Sequence, residues 1–516
     1  MRSDAEERGW AVAGWVGLAV AMAIVFSGVA EFFHDDAFVT LRYARNLLAG
    51  YGPVWNPGER VEGYTSFLHL GLCALAGVWM ELPAAARLVN LAAFGVLLAV
   101  LGPGSGRALG LAPVAWTVAA LVAAASGPLA AWTMGGLEAP LMALVVTVLA
   151  IATVGAVERA LEPRWVAAAG LAAGLACWTR PEGAGLAGIC ALLLAFVGDA
   201  DRRARVRALA SYALVAGAFW ASHLAWRRGY YGEWLPNTYY AKVWGLESEL
   251  LPRGVAYVWS WLFAPPWLAA VGVLAVGLLL GRGRAARALV SAALALAVAA
   301  MAAATGGDHM PAHRLLVPVV GLIALLAGFA AHELRAHVRP AVLLTAALSL
   351  AVLQVLSAPV LLRDPAAYVG ELVGRYLDAH WPAGSLVALN TAGSTPFFAP
   401  RLVFLDMLGL TDRAIARRRP PATGLPWQRV PGHSKGDGAY VLRRRPDYVI
   451  LGYAEGDPAG RARFLSDLEL NRLPDFHRQF ELHRVTLPLA PSARHAYYDA
   501  TRSGALVITY YARRRP

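Results

Sequence analysis

The sequence predicts a mainly α, polytopic transmembrane helical bundle with a small C-terminal α/β domain. Three observations carry that reading. First, 58% of the 516 residues are hydrophobic and 16% charged, with mean hydropathy +0.49, far more apolar than a soluble domain. Second, apolar windows near membrane-spanning length recur from Trp10 to Leu362, enough for about eleven to thirteen helices. Third, Arg363 to Pro516 is charged and proline-rich with no such window, and long enough for one small domain. The expected organisation is therefore a membrane domain over 1–362 and a soluble extracytoplasmic domain over 363–516.

The first run, Trp10 to Ala30, exceeds a signal-peptide core, so an uncleaved first helix is expected. Residues 31–65 form a first external loop too long for a simple connector. Within it, Ala37 to Leu48 has apolar residues at helical spacing, as an interfacial helix would. Further spans are expected at roughly 66–80, 84–101, 111–127, 139–156, 165–178, 183–198, 207–226, 255–281, 286–304, 314–331 and 340–360. In the last part, Ser385–Asn390, Leu402–Asp406 and Tyr448–Gly452 read as short buried strands, with helical stretches such as Ala459–Leu470.

Loop charge sets orientation. Arg202, Arg203, Arg205 and Arg207 form the densest basic loop; Arg282, Arg284 and Arg287 form another, and Arg335, His337 and Arg339 a third. These belong in the cytoplasm, which puts 227–253, 305–314 and the C-terminal domain outside. Strict alternation from a cytoplasmic start conflicts with this between residues 66 and 127. One segment there must be re-entrant, split or miscounted, and the 66–80 run is the shortest suspect.

Composition also excludes. The net charge of +12 resides largely in arginines of short loops, so it reports membrane orientation, not nucleic-acid binding. Cys73, Cys177 and Cys190 lie in apolar runs without metal spacing and read as core. Gly102-Pro-Gly104-Ser-Gly106 lacks the Gly-Lys-Ser/Thr of a phosphate-binding loop. No cytosolic nucleotide-sugar site is visible, and a donor delivered in the membrane needs none.

The chemistry-bearing residues pool on the external side. His34-Asp35-Asp36 directly follows the first span, and paired carboxylates at a membrane exit are costly without partners or work. A carboxylate there suits removal of a hydroxyl proton. The same side carries Arg42, Glu62 and Tyr64, then Glu138, Arg180 and Glu182, then Asn237, Tyr240 and Lys242, then Asp308, His309 and Arg314. Lys242 and Lys435 are the only lysines among 46 Lys and Arg residues. A lysine is a compact point charge that meets phosphate. Gly432-His433-Ser434-Lys435 is the most reactive-looking stretch of the C-terminal domain. Glu138 and Glu182 also suit helix N-termini, and Asp308 with Arg314 suits a structural ion pair. His309 and His313 have helical metal-ligand spacing, but Pro311 intervenes and no further ligand is evident.

This ordered set resembles the GT-C fold glycosyltransferases, which use polyprenyl-phosphate sugars. Asp35-Asp36-Ala-Phe-Val-Thr-Leu-Arg-Tyr-Ala, Asn56-Pro-Gly-Glu-Arg-Val-Glu-Gly-Tyr-Thr65, Gly136-Leu-Glu138, Arg180-Pro-Glu-Gly183, Pro236-Asn-Thr-Tyr-Tyr-Ala-Lys242 and Gly307-Asp-His-Met310 are similar to its AftB-like terminal arabinofuranosyltransferase subgroup. The resemblance implies an inverting single displacement at the outer face of a bacterial plasma (inner) membrane. The donor would be a polyprenyl-phosphate sugar, and the acceptor a cell-envelope glycan or glycolipid. It implies Asp35 as the catalytic base, with Asp36 orienting the acceptor or helping to hold a divalent cation (Mg or Mn) if one is used. Arg180, Lys242, His309 and Arg314 would meet the phosphate. The other residues above, with His433 and Lys435, would contact donor or acceptor. A transporter or lipid flippase would instead place charge near the bilayer midplane in paired broken helices. A non-catalytic envelope-assembly protein would depend on its C-terminal domain alone.

Overall fold

The computed structural model describes residues 4–264, 266–425, 430–489 and 504–514. The membrane part opens with α1 (Asp4–Ser27), α2 (Asp35–Leu48), α3 (Phe67–Gly77) and α4 (Leu82–Ala99). A kinked turn, Val100–Gly104, leads into α5 (Ser105–Leu109), then α6 (Pro113–Ala124) and α7 (Gly127–Met134). Four longer helices follow: α8 (Ala139–Glu158), α9 (Pro163–Thr179), α10 (Gly183–Phe196) and α11 (Arg202–Tyr231). After the short α12 (Asn237–Lys242) come α13 (Glu247–Phe263), α14 (Pro266–Gly281), α15 (Ala285–Ala304), α16 (Val317–Leu334) and α17 (Pro340–Leu356). Many begin with proline in the first turn, where its missing N–H costs nothing. The long α11 is bounded by Asp201, which accepts from Ala204 N at 2.7 Å, and by Gly232 in the left-handed conformation.

Five of these helices are long and apolar enough to cross a membrane, and two bent pairs pass the same test jointly. Shorter apolar helices add to them, α1 and α17 among others. The chain is a polytopic membrane protein. Two expected spans are broken. The 111–127 span becomes α6 and α7 at 60°, and the 255–281 span becomes α13 and α14 at 87°. Pro128 removes a backbone donor at the first break, and Ser126 caps the new helix there.

The orientation conflict resolves at α3. Its 11 residues are too few to cross, and the chain returns to the same face before α4 starts. In the first turns of α4, Arg87 donates to Phe32 O at 3.3 Å and Asn90 donates to Leu137 O at 2.9 Å. Both acceptors belong to the segments following α1 and α7. The 66–80 run thus starts and ends at one face, as a re-entrant segment would. At the opposite face the basic loops meet one another: Arg287 pairs with Glu158 at 2.7 Å, Arg284 with Glu333 at 2.9 Å, and Arg282 contacts His337 at 2.8 Å.

The C-terminal part starts with α18 (Pro365–His380), β1 (Leu386–Leu389), α19 (Ser394–Phe398), β2 (Val403–Asp406), α20 (Arg413–Arg417), α21 (Gly438–Arg443) and β3 (Tyr448–Val449). It closes with α22 (Leu465–Arg472), α23 (Pro474–Gln479), β4 (Phe480–Pro488) and β5 (Ala505–Arg513). The strands form one sheet, β2-β1-β3-β5-β4, with β1, β2 and β3 parallel and β4–β5 an antiparallel pair. All three expected strands are present. The expected Ala459–Leu470 helix is instead a short turn at Ala459–Arg461 followed by α22, because Asp467 gathers the backbone N–H groups of Arg463 and Phe464 at 3.2 and 3.0 Å.

Helix α2 does not lie on the bilayer as expected. Ten of its residues, from Asp35 to Asn46, are buried. The C-terminal domain covers it: Phe38 packs on Phe397 and Phe398, and Arg45 stacks on Phe397. Arg42 donates to Trp55 O at 2.8 Å and to the Pro396 carbonyl. An α2 helix clamped from above holds its N-terminal carboxylates in fixed places.

Candidate functional site

A cavity of about 930 Å³ lies between the site-side loops of the membrane helices and the C-terminal domain. Asp35, Asp36, Tyr64, Glu138, Arg180, Glu182, Lys242, Asp308, His309, Arg314 and His433 all line it. These residues come from seven separate stretches of sequence, so the external-side pooling becomes a single constellation.

Asp35 is buried and held by the C-terminal domain. Its Oδ1 accepts from Ser394 N at 2.8 Å and from Ser394 Oγ at 2.6 Å, and its own N–H donates to Asp364 Oδ2 at 2.8 Å. Gly393 lies flat against the carboxylate; a Cβ there would overlap both Asp35 Oδ2 and the Asp35 carbonyl oxygen. Burial pushes the Asp35 carboxyl up to about 6, reinforced by the Asp364 charge and opposed by the Ser394 donors. A base in that range is ionised at neutral pH yet basic enough to take a proton.

Asp36 has the opposite environment. Burial raises it, but the charges of His34, Lys242, His309 and Arg314 outweigh burial and hold it at about 2. Beyond it stands a network of fixed charge. Arg180 pairs with Glu138 and, at 2.8 Å, with Glu182. Arg314 pairs with Asp308 at 3.0 Å and lies 4.0 Å from Glu138. Lys242 differs: among the described residues it makes no hydrogen bond and no ion pair within 4.0 Å. Gly432 packs on its stem, with 3.3 Å between a Cβ placed there and Lys242 Cε. Lys242 is therefore a cation presented to the cavity without a direct counterion contact.

Five sequence-stated candidates lie outside the cavity lining. Arg42 braces α2 as described. Glu62 forms a buried bidentate pair with Arg227, at 2.6 and 3.1 Å. Asn237 Nδ2 donates to the carbonyls of Gly409 and Leu410 at 2.8 and 2.9 Å. Tyr240 lies under Arg417, 4.3 Å from its ring centre. Lys435 is fully buried, its Nζ donating to Trp244 O at 2.6 Å and Arg418 O at 2.8 Å. In each case a long polar side chain ties the C-terminal domain or its neighbouring loops together, which sequence spacing cannot distinguish from ligand contact. His309 and His313 do not share a face. The backbone turns through positive φ at Ala312 and His313, and His313 meets Ser260 Oγ at 2.9 Å.

The residues overlooked in the sequence are Asp364, Asn390, Gly393 and Ser394. They lie more than 300 residues from Asp35, and no periodicity links them. Among the described residues no group of three or more His, Cys, Asp or Glu side chains could hold a metal ion.

The Ser394 contact gives a direct test. Removing the hydroxyl in Ser394→Ala takes away a donor that favours ionised Asp35, so its pKa moves above about 6. A hydrogen bond to a charged group is worth about 1.5 kcal/mol or more, so the acid limb of the pH–rate profile should move up by about one unit. Activity should be lost near pH 6 and kept near pH 8. An unmoved limb would remove Ser394 from any part in tuning Asp35.

Comparison with known proteins agrees with this architecture. Residues 363–501 match a family model described as a domain of unknown function (DUF8728). The chain is 30% identical over 288 residues to the terminal beta-(1->2)-arabinofuranosyltransferase of Mycobacterium tuberculosis, an alignment covering 52% of this chain and 44% of that one. The chain spans about half the length of the curated relatives it matches. Among solved structures, ArnT from Cupriavidus metallidurans bound to undecaprenyl phosphate aligns with TM-score 0.50 at 16% identity, over 76% of this chain and 86% of ArnT. The archaeal oligosaccharyltransferase AglB from Archaeoglobus fulgidus, in complex with an inhibitory peptide and a dolichol-phosphate, aligns with TM-score 0.52 at 13% identity, over 84% and 69%. The chain therefore has the GT-C fold, a polytopic helical bundle carrying a small C-terminal α/β domain.

Proposed function

We propose that this protein is an inverting glycosyltransferase that moves a sugar from a polyprenyl-phosphate donor to a cell-envelope glycan or glycolipid, with arabinofuranosyl the first sugar to test. The observation that carries the reading is the pairing, in one cavity, of a buried carboxylate near pKa 6 with a cluster of cations at the membrane side. The cavity lies at the face opposite the arginine-rich loops, which supports an extracytoplasmic site in the bacterial plasma membrane. The named relatives and the lipid phosphates bound by the structural neighbours support the donor class.

The step is a single displacement. The acceptor hydroxyl gives its proton to Asp35 Oδ2 as its oxygen bonds to the anomeric carbon. The bond between that carbon and the phosphate oxygen breaks on the opposite face. Its electron pair leaves with polyprenyl phosphate, whose growing negative charge meets Lys242, with Arg314, Arg180 and His309 behind it. Asp36 stays ionised and keeps Lys242 and its neighbours charged and aimed.

The test is a panel. Full-length protein in detergent is given radiolabelled polyprenyl-phosphate sugars, one at a time, with an envelope-glycan extract. Transfer from one donor names the sugar, and arabinofuranosyl is the expected one. Absence of transfer from every donor, with folded protein, would overturn the reading.

A further inference from the structure

Two helices begin at the cavity. One is α2, with Asp35 and Asp36 in its first turn, and the other is α18, with Asp364 as its N-cap. The first N–H groups of a helix have no partner within it and carry partial positive charge. Asp364 meets both helices. Its Oδ1 accepts from Ala366 N at 3.1 Å in its own helix, and its Oδ2 accepts from Asp35 N at 2.8 Å in the other. One carboxylate thus caps a helix in each domain. His34 completes the turn: its Nδ1 accepts from Asp36 N at 3.1 Å, and its Nε2 lies 3.9 Å from Asp364 Oδ2. Helix α18 also backs the second hold on Asp35, because Gly370 packs so closely on Ser394 that a Cβ there would overlap Ser394 Oγ.

Asp364 has more charge around it than a structural cap needs. Its side chain is 13% exposed, and among the described residues His34 is its only ion-pair partner within 4.0 Å. The adjacent Arg363 turns instead to Glu31, at 3.7 Å. The acids facing Asp35 are Asp364 from α18 and Asp36 from its own turn; both disfavour its ionised form, and the Ser394 donors oppose them. The cations His34, Lys242, His309 and Arg314 address Asp36. A carboxylate set beside a second one is costly, and such pairs concentrate where their charge is used. Both Asp364 oxygens are engaged by backbone N–H groups, which suits holding rather than proton transfer.

We infer that Asp364 is a positioning residue for the base. From the C-terminal domain it fixes the first turn of α2, which directs the Asp35 carboxylate into the cavity, and it sets a second carboxylate beside it. The base is therefore complete only when the two domains are docked. This assignment rests on the transfer reading above and adds how Asp35 is aimed and kept basic.

The test reads Asp35 itself, without donor or acceptor. Infrared difference spectra of the full-length protein in detergent are recorded against pH, and the Asp35 carboxyl band is the one absent from Asp35→Asn. In wild type it should titrate near pH 6, as a pKa of about 6 requires. Asp364→Asn and Asp364→Ser both remove the neighbouring charge, and both residues still cap α18. In each the midpoint should fall by about one unit, opposite in direction to Ser394→Ala, which loss of a merely structural cap would not produce. The acid limb of the transfer rate should move down with it. Asparagine keeps an oxygen of matching reach toward Asp35 N, whereas serine is too short. The kcat should therefore fall about threefold in Asp364→Asn and about a hundredfold in Asp364→Ser, with donor KM unchanged. If Asp364→Ser fails to fold, the near-isosteric Asp364→Asn carries the test. An unmoved or raised midpoint in a folded variant, or wild-type kcat in Asp364→Ser, would overturn the assignment. A fallen midpoint in a protein whose wild type transfers no sugar would overturn the transfer reading and leave the coupling of Asp364 to Asp35 established.

Discussion

Asp35→Asn should lower the transfer rate by about three orders of magnitude or more, within the range a positioned general base supplies or beyond it. The donor KM should change little, because the cations that meet the phosphate remain in place. The asparagine can still accept from Ser394 N and Oγ, so the protein should stay folded and membrane-inserted. Steady-state kinetics with a labelled polyprenyl-phosphate sugar checks this, and Asp36→Asn is the matched control. Asp36 is held near 2 by surrounding cations, which leaves it a weak base. Its loss should disturb the arrangement of Lys242 and His309, and so raise donor KM more than it lowers kcat. The reverse pattern, with Asp35→Asn active and Asp36→Asn dead, would transfer the base assignment to Asp36.

The second large effect is expected at Lys242. Lys242→Ala should reduce kcat/KM for the donor by about a hundredfold, comparable to deleting one preorganised charge-stabilising donor. Arg180 and Arg314 are already bonded to Glu138, Glu182 and Asp308, so their charge is largely committed. Lys242 has no such partner among the described residues. Lys242→Arg should rescue poorly. Gly432 packs against the middle of the lysine stem, and its left-handed backbone leaves little room to withdraw. A planar guanidinium would not reach the same point. Donor titrations at fixed acceptor separate the outcomes. An unchanged kcat/KM in Lys242→Ala would mean that the lipid phosphate is neutralised elsewhere.

Much of this architecture was legible from pattern. Long apolar windows separated by short basic loops demand membrane helices of one orientation, since burying a charged loop in hydrocarbon is prohibitive. The strands at β1, β2 and β3 showed as short apolar runs bounded by turn residues. The pooling of Asp35, Glu138, Arg180, Lys242, Asp308 and His309 on one side followed from counting spans. The count itself stumbled at 66–80, because an 11-residue apolar helix is hydrophobic enough to resemble a span and too short to be one. Only its contacts with α2 and α4 reveal the return.

The wall facing Asp35 and Asp36 was not legible. Asp364 and Asn390 reach the cavity, and Ser394 reaches Asp35, through turns of a separate domain, and local sequence has no term for a contact 300 residues away. The same blindness made Arg42, Glu62, Asn237, Tyr240 and Lys435 look like ligand contacts. Each is a polar side chain beside the site whose hydrogen bonds, ion pair or ring contact are made within the protein. Residue types and their order along the chain set the membrane helices, the sidedness and the carboxylate pair, because those depend on local hydropathy and charge. Docking of the C-terminal domain over α2 assigned the roles: it buries Asp35, gives it the Ser394 donors and caps its helix through Asp364. Which of two adjacent aspartates can act as a base depends on that long-range desolvation and hydrogen bonding.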